Sequence, residues 1–140
     1  MILKKSFLIL AFVLVSIIAL VYGVAPAWFA RTFLNVELSV SLAHILRAVM
    51  GLYLALGIFW LYSAFSDRLR DAAILTTMVF AGGLVAGRVL SFFVDGPPSP
   101  LLMFYAGLEF VIIPIAWWIY SRPDDSFVVA ASVEPSGIDP

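Results

Sequence analysis

An all-α integral membrane protein, a bundle of four transmembrane helices, is the fold class this sequence predicts, and three observations predict it. The first is composition: of 140 residues, 64% are hydrophobic and 12% charged, where an ordinary soluble domain has roughly 45–50% and about 25%. The mean hydropathy of +1.10 says the same. The second is that the apolar residues gather into four runs, about 7–24, 41–64, 72–94 and 101–120, each close to the roughly 20 residues that cross a bilayer core as a helix. The third is the punctuation between the runs, which is rich in proline, glycine and charge. The length suits one compact domain.

The runs follow in order. Lys4 and Lys5 precede an almost wholly apolar stretch, Phe7 to Val24, broken mainly by Ser16 and Tyr22. A secretory signal has a similar layout with a core of roughly 7–15 residues; the longer run here reads as a retained span, and cleavage would leave three. Ala25-Pro26-Ala27-Trp28-Phe29-Ala30-Arg31 breaks the helix, because proline cannot continue the ladder, and Trp28 with Phe29 suits an aromatic anchor at the headgroups. Leu34 to Val40 alternates like a strand, but a lone strand cannot satisfy its backbone in lipid. That segment is therefore an extended or interfacial loop.

Span two, from about Ser41 to Ala64, carries His44 and Arg47 near its start. The charged turn Phe65 to Asp71 offers Ser66 or Asp67 as a cap for span three, which runs from about Ala72 to Val94. Asp95-Gly96-Pro97-Pro98-Ser99-Pro100 is a tight turn, with Pro100 suited to the first turn of span four. Pro114 lies inside that span and should kink it, freeing the carbonyl of Phe110. Trp117, Trp118 and Tyr120 make its aromatic end. From Ser121 the chain turns polar and acidic, the composition of a disordered tail.

Lys4, Lys5, Arg68, Arg70 and Arg122 fall on one side of a four-span topology and only Arg31 on the other. The positive-inside rule then places both termini in the cytoplasm, in a multi-pass protein of the inner (cytoplasmic) membrane.

Composition also removes function classes. A formal net charge of −1 leaves no basic patch for nucleic acid. Without cysteine there is no disulfide, thiolate nucleophile or iron–sulfur ligand, and His44 alone cannot build a histidine-rich metal site. No catalytic residue, metal ligand or cofactor is assigned. His44 reads as an interfacial hydrogen-bonding residue, and no nucleophile–base pair has usable spacing.

What remains is a set of ionisable residues inside the spans. Such residues are costly in lipid, so they usually face the bundle interior and pair. With about 1.5 Å per residue, Arg47 and Arg88 each lie about 9 Å below the outer surface and Glu109 about 13 Å. If their faces converge they form one cluster. His44 precedes Arg47 by one turn, Ser91 and Asp95 follow Arg88 on its face, and Tyr105 sits one turn before Glu109. Gly83 and Gly87 form a small-xxx-small pair that lets a neighbouring helix approach closely.

The plain reading of an Arg–Glu pair is that it fixes the register of the bundle. Two arginines against one glutamate leave a charge to be met. Asp95 or Glu37 folds down, or one arginine snorkels upward, or an anionic small molecule or lipid headgroup supplies the charge. The functional expectation is a non-catalytic bundle binding an anionic or amphipathic small molecule or lipid through Arg47, Arg88 and Glu109. The alternatives are an accessory subunit with a membrane-protein partner or a homo-oligomer, and a lipid-modifying enzyme using Glu109.

Arg47-Ala48-Val49-Met50-Gly51-Leu52-Tyr53, Gly87-Arg88-Val89-Leu90-Ser91, Asp95-Gly96-Pro97-Pro98 and Glu109, with Ala25-Pro26-Ala27-Trp28-Phe29-Ala30 upstream, resemble the bacterial membrane family known as domain of unknown function 4345. The resemblance spans roughly Pro26 to Tyr120. It implies a small four-helix membrane protein, and it implies no activity and no functional residues.

Overall fold

The computed structural model describes residues 2–97 and 100–122. Its elements are α1 (Ile2–Gly23), a short α2 (Pro26–Phe29) that runs into a π-helical turn (Ala30–Leu34), α3 (Val40–Ala64), α4 (Arg70–Asp95) and α5 (Pro100–Tyr120). No strand occurs among the described residues. α1, α3, α4 and α5 are each long and apolar enough to cross a membrane. They stay largely uncovered by one another: Val79 is 69% exposed, Phe93 79% and Phe110 67%. A soluble fold would hide such side chains, so lipid is the solvent these faces fit.

Why the helices pack as they do is clearest between α1 and α3, the most extensive pairing in the bundle. Gly57 lies against Val15 and Phe12: a β-carbon there would come within 2.9 Å of Val15 Cγ1. Near the other end of the pair, Gly23 meets Met50 side-on. Gly23 beside residue 50 and Val15 beside residue 57 make the pair antiparallel. The close approach expected at Gly83 and Gly87 therefore falls elsewhere. A β-carbon at Gly82, Gly83, Gly87 or Gly107 would meet nothing within 4 Å. The α4 glycines border an open groove instead of a helix–helix seam.

The connections differ from expectation in instructive ways. Pro26 ends α1 but also starts a new helical turn, where its missing N–H costs nothing. Of the aromatic pair that follows, Trp28 is exposed, whereas Phe29 is 3% exposed and folds back onto Tyr22, ring centroids 4.6 Å apart. Phe29 is thus a plug over the bundle end and not a headgroup anchor. Asn35 ends the π-helical turn in a left-handed conformation, φ 54°, which asparagine tolerates. Ser39 caps α3 by accepting from Leu42 N at 3.1 Å. At α4 no side chain caps the helix; Asp67, a candidate for that role, pairs with Arg70 at 2.7 Å. Pro100 is the first residue of α5, and Pro114 lies within a helix that continues to Tyr120. Pro98, Ser99 and the acidic tail from Pro123 onward lie outside the described residues.

α1 is tied in at both levels. Leu8, Val15 and Ala19 enter the core with Trp60, Ile74 and Ala116, and Lys4 Nζ donates to Asp71 at 2.8 Å. Burial of Trp60 leaves its indole N–H in need of a partner, and Thr76 Oγ1 accepts it at 3.1 Å while donating to Ala73 O.

Candidate functional site

Arg88 sits seven residues before the end of α4 and Glu109 nine residues after the start of α5. Only four residues separate the two helices in the chain, and the two positions fall at one level. Arg88 Nε donates to Glu109 Oε2 at 2.7 Å and Arg88 Nη2 donates to Oε1 at 2.9 Å. This is the two-point fork that a guanidinium makes with a carboxylate, stronger and more directional than a single charged contact. Both side chains are largely covered, with 25% and 15% of their surfaces accessible.

The pair closes one end of a cavity of about 170 Å³ bounded by α1, α3, α4 and α5. Tyr22, Tyr53 and Tyr105 line that same end, and apart from Thr77, whose hydroxyl donates to Ala73 O at 2.9 Å, apolar side chains line the rest down to Phe7 and Trp60. Its aromatic wall is continuous. Tyr22 and Tyr53 lie 6.1 Å apart, Tyr53 and Phe80 5.1 Å, and Phe80 and Trp60 5.7 Å, centroid to centroid. Among the described residues none of the three tyrosine hydroxyls makes a hydrogen bond within the chain, so their polar capacity is unspent.

The sequence-selected residues separate into two groups. Arg88, Glu109 and Tyr105 come together in this cavity. Ser91 and Asp95 lie one and two turns outward on α4, where Ser91 Oγ donates to Asp95 Oδ2 at 2.5 Å. With Arg88 they line an open groove of about 880 Å³ between α4 and α5, into which Gly83, Gly87 and Gly107 also open. Arg47 and His44 do not join either group: both lie exposed on α3 and neither bonds to Arg88 or Glu109. The surplus arginine charge is therefore resolved by position. Arg88 takes the glutamate, and Arg47 is exposed on α3.

Two lining residues were not singled out from the sequence, Tyr22 and Tyr53. A faint signal exists for the first, a phenol interrupting an otherwise apolar run. For the second there is none, because a tyrosine four residues after Val49 reads as packing. Among the described residues no three His, Asp or Glu side chains gather, so the arrangement offers hydrogen bonds and one ion pair.

No curated protein and no solved structure matches the chain. One family does, over residues 3–120, which include all four long helices and every residue of the site. The match takes in well over half of the chain, and the chain belongs to the family described as Domain of unknown function (DUF4345).

Proposed function

We propose that this protein is a non-catalytic membrane bundle that holds an amphipathic small molecule or lipid between α1, α3, α4 and α5. The polar part of the ligand lies at Arg88, Glu109 and the three tyrosines, and its apolar part lies along the cavity. The observation that carries this reading is the bidentate ion pair set at one end of an otherwise apolar, aromatic-walled cavity. Concave, mainly apolar sites with a few convergent polar groups are the usual form of small-molecule sites.

A purely structural salt bridge would need no cavity beside it and no row of tyrosines with unused hydroxyls. The non-catalytic part of the reading rests on Glu109, whose two oxygens both accept from Arg88, leaving its carboxylate engaged. Lys4, Lys5, Arg68, Arg70 and Arg122 at the opposite end support a cytoplasmic-membrane protein with cytoplasmic termini, so the site occupies the outer half of the bilayer.

The test is native mass spectrometry of the protein extracted in mild detergent, with bound lipids and small molecules identified after release. The expected result is one amphipathic species that is lost in Arg88→Ala while the protein remains inserted. Unchanged binding in that variant, or a bare monomer, contradicts the reading. Constant partner subunits would instead favour an accessory role, served by the open α4–α5 groove.

A further inference from the structure

Resting on that reading of the cavity, we infer that the ligand is a single-chain amphiphile with an uncharged hydroxyl- or carbonyl-bearing head. Three features of the same site lead there.

Shape comes first. The cavity follows α1 from Phe7 to Tyr22, fifteen residues or about 22 Å, and α4 from Thr77 to Arg88, about 16 Å. A volume of about 170 Å³ drawn out over that length gives a slot one hydrocarbon chain wide. A compact ligand would leave most of it unfilled, and empty apolar space is unfavourable.

Charge comes second. Arg88 and Glu109 cancel one another across two short hydrogen bonds. An anionic head would have to displace Glu109, leaving a carboxylate without a partner in a poorly solvated place, which is a strongly unfavourable exchange. A cationic head would strand Arg88 in the same way. An uncharged head displaces nothing, because Arg88 still has the Nη1 donors and the three tyrosines still have their hydroxyls.

Depth comes third. Arg88 is seven residues, about 10 Å, inside the end of α4. A phospholipid headgroup keeps to the interface, whereas an alcohol or carbonyl loses far less hydration at that level. The ligand class is thus a fatty alcohol, an isoprenoid alcohol or a long-chain carbonyl compound.

Trp60 at the far end of the slot provides the reporter. Trp28, Trp117 and Trp118 are each at least half exposed, and Trp28→Phe, Trp117→Phe and Trp118→Phe leave Trp60 as the sole indole. In phosphatidylcholine nanodiscs a chain-brominated fatty alcohol should quench Trp60, and hexadecanol, hexadecyl sulfate and hexadecane then compete. The inference predicts displacement by hexadecanol at least about tenfold more effective than by hexadecyl sulfate, and none by hexadecane. Glu109→Gln, which leaves Arg88 uncompensated, should reverse the order of alcohol and sulfate.

Sulfate equal to or better than alcohol in the parent protein overturns the uncharged head and leaves the cavity reading standing. No quenching of Trp60, or displacement by hexadecane as readily as by hexadecanol, overturns both. The comparison of probes on the parent protein decides the matter even if Glu109→Gln does not fold.

Discussion

Arg47 and Arg88 lie at matched depths and have opposite fates. Arg47 is seven residues from the start of α3 and Arg88 seven residues from the end of α4, about 10 Å in each case. The difference is helix direction. Side chains lean toward the N-terminus of their own helix. α3 begins at this end of the bundle, so Arg47 leans toward the nearer membrane face and can reach the headgroups along its apolar stem. α4 ends there, so Arg88 leans deeper into the hydrocarbon and needs a carboxylate at its own level. Glu109, on a helix that begins at the same end of the bundle, leans back to meet it. Depth alone does not decide whether an intramembrane arginine is a site; depth together with helix polarity does.

The sharpest way to break this comparison is to remove one partner of the pair. Arg88→Leu or Glu109→Leu strands a largely covered charge and should cost on the order of 3 kcal/mol in an unfolding titration in detergent. The double substitution Arg88→Leu with Glu109→Leu should recover most of that loss. Next in size is Gly57→Leu, which drives a side chain into Val15 and Phe12 and should cost about 1–3 kcal/mol by the same titration. Gly83→Ala and Gly87→Ala sharpen the contrast between the two glycine sets. Each has room for a methyl group and should stabilise the isolated chain by about 0.5–1 kcal/mol through helix propensity. Loss of stability there would mean that another helix occupies the groove. The smallest effect belongs to Arg47→Leu, which should stay within about 0.5 kcal/mol, as for a surface position.

These contrasts also mark what could be read from the chain. The four spans were legible because their apolar runs are long and their turns rich in proline and charge, and the cost of a lone charge in lipid pointed to an Arg–Glu pair without saying which arginine takes Glu109. Convergence of Arg47 did not follow, because depth was counted along each helix without the direction in which side chains lean. The glycines misled for a related reason: a small-xxx-small spacing permits close approach but does not say which face of α4 meets a neighbour. Of the glycines that do make the close contacts, Gly57 has no such spacing to announce it, and Gly23 has it only with Ala19. Phe29 reads as an anchor beside Trp28; the helical turn after Pro26 sets the two side chains about 100° apart, leaving Trp28 exposed and turning Phe29 onto Tyr22.

The most direct measurement is a pair of thermodynamic double-mutant cycles in lipid, Glu109→Gln combined with Arg88→Met and, separately, with Arg47→Met. A coupling of about 2 kcal/mol for Glu109 with Arg88, and none beyond about 0.5 kcal/mol for Glu109 with Arg47, is the predicted result. An Arg47 coupling as large as that of Arg88 would contradict the account, because both arginines would then share the glutamate inside the bundle.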